Sequence, residues 1–212
     1  MRTSLFVKSV IAAAAVAAPM FASAESNFQT GTTALTATAH VDFQITIPKF
    51  LFLRVGTGTG TAAGGFATLA TVDQITWAPT SAQVGNGTAL AGAGGDLGTG
   101  TETAVVVANN GNVTLSSTTT GPLNNGAGDT ISYAQIKTTA TANTTATVLA
   151  APALADGATT SSTLTAVGKI VQQDAKWAYT YLNTTVPPSG TYGGGGATNV
   201  GAGRVTYTAS VP

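Results

Sequence analysis

The sequence predicts an all-β protein built as an antiparallel β-sandwich, and three observations lead to this class. Apolar and polar residues alternate along several short segments, as they do in strands with one buried face. Turn-forming combinations of Gly, Asn, Asp and Pro separate these segments, and the chain holds 26 glycines and 8 prolines. No segment repeats its apolar residues with the 3.6-residue period of an amphipathic helix.

The first 24 residues are typical of a secretory signal peptide. Arg2 and Lys8 give it a positive start, residues 10–21 are an apolar run, and Ala22-Ser23-Ala24 is a small-residue cleavage site. The apolar run is shorter than the roughly 20 residues of a membrane-spanning helix, which disfavours an uncleaved anchor. We therefore expect an exported protein that starts at Glu25 and has no membrane span after signal removal.

Charge and cysteine content exclude several classes of function. Loss of Arg2 and Lys8 with the signal leaves six basic and eight acidic residues, with no basic cluster. Nucleic acid and anionic membranes are therefore not expected as partners. The absence of Cys removes disulfides, thiol catalysis and thiolate metal sites. Because only 8% of residues are charged, little repulsion opposes packing of the chain against copies of itself.

The longest predicted strand occupies residues 35–55, close to the start of the mature chain. Its apolar face consists of Leu35, Ala37, Ala39, Val41, Phe43, Ile45 and Ile47. Pro48 interrupts the strand because proline has no N–H for a ladder, and residues 50–53 then read as a buried continuation. Such a strand can complete its own sheet or the sheet of another chain. We expect residues 35–41 to be able to leave the fold and residues 43–55 to stay in its core.

The rest of the chain supplies further strands for a single domain over residues 42–212. Candidate strands cover residues 66–77, 102–108, 113–117, 131–137, 164–171, 176–183 and 204–211. The turn Asn109–Asn112 predicts a hairpin between two of these strands, because Asn and Gly accept positive φ. Residues 80–100 and 138–162 have no clear period and stay unassigned. Eight or so strands with turns between them favour an immunoglobulin-like sandwich.

No local constellation of residues indicates catalysis. His40 is the only histidine, and it lies on the polar face of the first strand near Asp42 without a nucleophile motif beside it. The acidic residues do not have the spacing of a calcium loop. We expect no enzyme activity, no cofactor and no metal.

Three aromatic side chains allow two interpretations. Trp177, Tyr179 and Tyr181 share one face of a predicted strand. They could form an exposed platform on which a carbohydrate stacks. The alternative is that they belong to the core, since only 7% of residues are aromatic and large side chains are needed inside.

Two segments carry a resemblance to a known family. Residues 32–41, TTALTATAHV, form a Thr-rich alternating segment that leads into the first strand, and Gly190-Thr191-Tyr192 precedes the alternating strand 204–211. In these respects the chain resembles subunits of bacterial pili that a periplasmic chaperone and an outer-membrane usher assemble. The archaic branch with spore-coat-U-like domains is the most similar. The cysteine pair that is frequent in pilins is missing here.

This resemblance implies a structural role in a homopolymeric surface fimbrium. Such a subunit lacks one strand, and the N-terminal segment of the next copy fills the groove. Residues 25–41 would be the extension, with Leu35, Ala37, Ala39 and Val41 as anchors of the donated strand. The implied partners are copies of the chain, the chaperone and the usher, and the implied location is the cell surface. The alternative function is a monomeric secreted adhesin or carbohydrate-binding module, in which residues 35–47 pair within their own chain.

Overall fold

The computed structural model describes residues 25–57, 66, 68, 70–194 and 203–212, so the predicted signal peptide lies outside the described residues. Contacts divide the chain into two units, Met1–Ile47 and Pro48–Pro212. Among the residues that the structure describes, every strand belongs to the second unit, and every pair of strands is antiparallel. The predicted all-β class with antiparallel sheets is therefore confirmed.

Twelve strands and one short 3-10 helix are present in the part of the chain that the structure describes. The strands are β1 Leu51–Val55, β2 Ile75–Thr76, β3 Leu90–Ala91, β4 Ala93–Gly94, β5 Thr101–Ala108, β6 Val113–Thr119, β7 Leu123–Asn124, β8 Thr130–Ile131, β9 Ile136–Thr141, β10 Thr159–Leu164, β11 Val171–Tyr181 and β12 Val205–Ser210. The 3-10 helix covers Tyr133–Gln135. None of the described helical residues forms a helix long and apolar enough to cross a membrane.

The strands form two larger sheets that share one core. The first has the order β1-β5-β11-β3, with β9 also paired to β11, and the second has the order β10-β6-β12. Ala104, Val106 and Ala108 of the first sheet pack in one cluster with Val113 and Leu115 of the second. Because these five side chains are fully buried, they exclude water between the two sheets.

The centre of this core is Trp177 on β11. Its side chain is completely buried, and its ring centroid lies 5.2 Å from that of Tyr207 on β12. The indole nitrogen donates a hydrogen bond of 2.7 Å to the carbonyl of Leu149. This bond satisfies the one polar group of the indole and fixes the segment before β10 against the core.

A buried carboxylate attaches the segment around residue 145 to β11. Asp174 is 0% exposed and accepts hydrogen bonds from both the N–H and the hydroxyl groups of Thr144 and Thr145. Asn143 adds a donor from its side-chain amide at 3.0 Å. Burial alone would raise the pKa of Asp174, but these hydrogen bonds outweigh it and lower the pKa to about 2.

The predicted hairpin at Asn109–Asn112 is wrong, although both of its strands are present. β5 pairs with β1 and β11, whereas β6 pairs with β10 and β12, so the turn carries the chain from one sheet to the other. The reason lies in β5, which is buried on both faces and has a partner on both edges. A central strand of this kind leaves no edge on which its neighbour in sequence can fold back.

Other predicted strands are shorter or displaced. Residues 164–171 were predicted as a strand, but they contain a turn at Val167–Ile170 in which Gly168 and Lys169 have φ of 59° and 69°. Of residues 66–77, only Ile75–Thr76 form a strand among the described positions. By contrast, the alternating strand predicted at 204–211 is confirmed as β12.

The first strand is confirmed only after Pro48. No residue from 25 to 50 lies in a strand, and the interpretation that residues 43–47 stay in the core is wrong. The physical reason is the register of β1 on β5, because Leu51 pairs with Ala108 at the last position of β5. The side chain of Asn109 replaces the next pair, with its oxygen accepting from the N–H of Phe50 at 2.9 Å and its nitrogen donating to the carbonyl of Pro48 at 2.8 Å. The partner strand therefore ends before residue 47 could join it.

Candidate assembly site

The N-terminal unit exposes its entire apolar face. Leu35 is 49% exposed, and the exposed fraction is higher still for Val41, Phe43, Ile45 and Ile47, at 75, 91, 86 and 75%. Ala37 and Ala39 are exposed as well. Exposing an apolar face of this length to water is unfavourable. Contacts that bury this face would therefore be favourable.

The polar face of the same unit holds an ion pair. Nδ1 of His40 lies 2.7 Å from a carboxylate oxygen of Glu25, and both side chains are largely exposed. An exposed pair contributes at most about 1 kcal/mol. His40 is therefore a solvent-exposed side chain paired with a carboxylate.

Two of the edge strands of the folded unit, β1 and β12, have inward side chains that are incompletely covered. Over the described residues, β1 pairs only with β5 and β12 pairs only with β6. Their inward side chains pack on the core but stay partly exposed, namely Leu51, Leu53, Val55, Tyr207, Ala209 and Val211. The equivalent side chains on β5 and β6 are buried. An additional strand along such an edge would cover them and satisfy unpaired backbone groups.

The start of β1 and the C-terminus lie at the same end of the folded unit. Lys49 donates a hydrogen bond to the carbonyl of Pro212, and the side-chain amide of Asn110 donates to the same oxygen at 3.1 Å. The last residues of β12 are thus held beside the first residues of β1.

The outward face of β1 carries an arginine without an acceptor. The guanidinium carbon of Arg54 lies 5.9 Å from the centroid of the Phe52 ring, and its Nε and Nη2 atoms are buried with no hydrogen-bond partner in the described structure. A cavity of about 330 Å³ follows this strand and is lined by consecutive residues from Leu51 to Thr57, with Thr68 and Thr71 on its other side. Sequence reasoning missed Arg54, although one cation in the apolar run LFLRV was the available signal.

Of the two interpretations of the aromatic side chains on β11, the structure agrees with burial in the core and not with an exposed platform. Trp177 is 0% exposed, and Tyr179 and Tyr181 are each 7% exposed. Their face of β11 points into the core, because the large side chains are what fill it. The stacking interpretation is therefore wrong for these three residues.

A polar cluster lies at one end of the core, and it was not predicted. Glu102 is 5% exposed, and its Oε2 accepts a hydrogen bond of 3.1 Å from the N–H of Asp96. Burial raises the pKa of Glu102 to about 7, and the negative charges of Asp73 and Asp96 add to this effect while the Asp96 N–H opposes it. The hydroxyl groups of Tyr179 and Tyr207 are 3.0 Å apart, and burial raises the pKa of both.

Gly56 allows two carboxylates of this cluster to approach each other. Its φ is +75°, and a Cβ at this position would lie 2.5 Å from Oδ2 of Asp73 and 2.6 Å from Oε2 of Glu102. A side chain at residue 56 is thus excluded by both sterics and backbone conformation. No group of three or more His, Cys, Asp or Glu residues in the described ranges is placed to hold a metal ion.

The candidate features are the exposed alternating segment 35–47 in the N-terminal unit and, in the folded unit, Arg54 and the unpaired edges of β1 and β12. An exposed alternating segment and an unpaired strand edge are the two elements that strand addition requires. Comparisons of the chain with models of protein families, with curated proteins and with solved structures gave no match.

Proposed function

We propose that the protein is an exported structural subunit of a bacterial surface filament, which polymerises when the N-terminal segment of one copy adds a strand to the next. In this proposal the two sheets form an immunoglobulin-like sandwich that lacks one strand. The observation that carries the proposal is that residues 35–47 alternate strictly and expose every apolar side chain.

The geometry of a strand supports the proposal. Alternate residues of a strand are roughly 6.8 Å apart on one face, and the free edges of β1 and β12 are five and six residues long. A donated segment would place three or four apolar side chains on such an edge. Its backbone would complete the ladder that β1 or β12 leaves open, which is the usual mode of strand addition.

The energetics favour anchors beyond the four predicted from the sequence. Leu35, Ala37, Ala39 and Val41 include two alanines, which contribute little when buried. The exposed Phe43, Ile45 and Ile47 are larger, and each contributes roughly 1.5–3 kcal/mol on full burial. The proposed donor strand is therefore residues 35–47, and its C-terminal half supplies most of the apolar contact.

Two observations weigh against the monomeric alternative. It requires residues 35–47 to pair within their own chain, but these residues lie in no strand. It also requires an exposed ligand surface, and the aromatic residues suggested for one are buried. We therefore propose copies of the chain as the main partner, with a periplasmic chaperone and an outer-membrane usher as assembly factors.

The test is to delete residues 35–47, the whole proposed donor strand, from the full chain and to examine the cells that produce it. We expect the truncated protein to be exported but filaments to be absent from sheared cell-surface material in electron micrographs. Ile45→Asp should have the same effect, because it places a charge on the anchoring face. Gln44→Asp is the matched control on the polar face and should leave filaments unchanged. Filaments at normal abundance after the deletion would contradict the proposal.

A further inference from the structure

The outward face of β1 contains a cation that the folded unit itself does not neutralise. Nε and Nη2 of Arg54 are buried and have no acceptor among the residues that the structure describes. The ion pair between His40 and Glu25 is the single one found there, and it does not involve Arg54. A buried donor without a partner is unfavourable, so this guanidinium favours an incoming carboxylate.

Arg54 borders the cavity beside β1, across from Thr68 and Thr71. Leu51, Leu53 and Val55 point into the core, so Phe52 and Arg54 lie on the opposite face. The adjacent cavity is lined by consecutive residues of β1, which places it along the edge of the strand. A strand added there would have one row of side chains beside Leu53 and the other row beside Arg54.

The proposed donor segment carries one carboxylate, and it lies in the correct row. Asp42 is the only acidic residue in 35–47, it is exposed, and it forms no ion pair in the described structure. When the odd-numbered apolar residues of the segment face the core, the even-numbered Asp42 lies on the outward face together with Arg54. Both the negative charge of Asp42 and its position in the alternating pattern therefore fit a contact with Arg54.

We propose that residues 35–47 of a second copy pair along the free edge of β1 with Asp42 of that copy beside Arg54. This inference rests on the proposed function and adds to it the edge that is used and the contact that selects the register.

The ion pair would fix the register of the added strand, which the alternating pattern alone does not determine. A shift by one residue turns the apolar row outward, but a shift by two keeps it inward and changes only which apolar side chain meets which position. Such a shift moves Asp42 roughly 6.8 Å along the strand and leaves the guanidinium without an acceptor. Arg54 thus distinguishes between registers that the apolar residues alone would accept.

The test exchanges the two charges in the full chain with its N-terminal segment intact. Asp42→Arg and Arg54→Glu should each weaken self-association by about 30-fold or more, measured by sedimentation velocity over a concentration series. The double variant D42R/R54E should recover most of this loss. Arg204→Glu is the matched control, because Arg204 is an exposed arginine outside the proposed contact, and it should associate like the wild type.

Each outcome decides one question. Failure of the double variant to recover, with thermal unfolding unchanged, would overturn the ion pair. If Arg54→Glu does not fold, the Asp42→Arg variant decides alone, because residue 42 is exposed and lies in no strand. If Asp42→Arg then self-associates as strongly as the wild type, the inference is rejected. If the double variant recovers only the thermal stability of the monomer and not self-association, the strand beside β1 does not come from a second copy. A wild-type chain that does not self-associate contradicts the proposed function itself.

Discussion

Glu102 provides the sharpest test of the energetics of this fold. The ordinary pKa of a glutamate is 4.5, and burial raises the pKa of Glu102 to about 7 in the folded chain. Between these values the folded state binds a proton that the unfolded state releases. The free energy of unfolding must therefore fall as pH rises from about 4.5 to about 7, at about 1.4 kcal/mol per pH unit. In total, the free energy of unfolding should be about 3 kcal/mol higher well below pH 4.5 than well above pH 7.

Glu102→Gln removes this titration while preserving the shape of the side chain. The amide oxygen can still accept from the N–H of Asp96, and no charge is buried beside Asp73. We expect the stability difference between E102Q and the wild type to be about 2.5 kcal/mol more favourable to the variant at pH 8 than at pH 5, because part of the effect is already lost at pH 5. Taking the difference between two pH values cancels any hydrogen bond that the substitution changes equally at both.

The assay is urea denaturation of dilute, monomeric protein followed by tryptophan fluorescence, which reports on the buried Trp177. Glu25→Gln is the matched control for the substitution itself, because Glu25 is the only other glutamate of the sequence and is exposed. A value below about 1 kcal/mol for E102Q would refute the reasoning, because Glu102 would then be ionised in the fold without penalty.

Two further predictions concern Asp174 and Gly56. The pKa of Asp174 is lowered from 3.8 to about 2, so its ionised form stabilises the folded state. This stabilisation is fully present above pH 3.8 and is lost as pH falls toward 2. The loss amounts to about 2 kcal/mol in the free energy of unfolding. Asp174→Ala should cost about 3 kcal/mol or more at pH 7, since it leaves several buried donors unpaired, and this variant should lack the loss of stability that Asp174 causes as pH falls from 3.8 to about 2. Gly56→Ala should destabilise by about 2 kcal/mol, whereas Gly111→Ala, with positive φ but nothing within 4 Å of its Cβ, should cost about half as much. Equal losses for the two glycines in urea denaturation would show that the two carboxylates near Gly56 do not matter.

The strands themselves were the predictable part of the fold. Alternation places β12 and the aromatic half of β11 correctly, because a half-buried strand needs that pattern wherever it pairs. The partner of each strand was not predictable in the same way. The Asn109–Asn112 turn has the same sequence signal whether it closes a hairpin or crosses to the opposite sheet, and the choice depends on β1 and β11.

The boundary of the candidate site shows the same limit. Residues 35–55 read as one strand interrupted at Pro48, and nothing local distinguishes the half that pairs from the half that does not. The distinction comes from the length of β5, which ends opposite Leu51. The burial of Glu102 and Asp174 was not predicted for a related reason. An isolated acidic residue is buried only because segments distant in sequence cover it, and the local sequence does not indicate this.

The join between β1 and Asn109 also has a mechanical consequence. If the chain forms the proposed filament, tension would reach the folded unit through Pro48, directly at the start of β1. Force applied along that strand loads its five pairs with β5 together, as a shear, instead of opening them one at a time. Asn109 adds two hydrogen bonds at the point where the load enters. Resistance to pulling is a matter of unfolding rate, so this amide would influence how long a subunit survives under load even where equilibrium stability is unchanged.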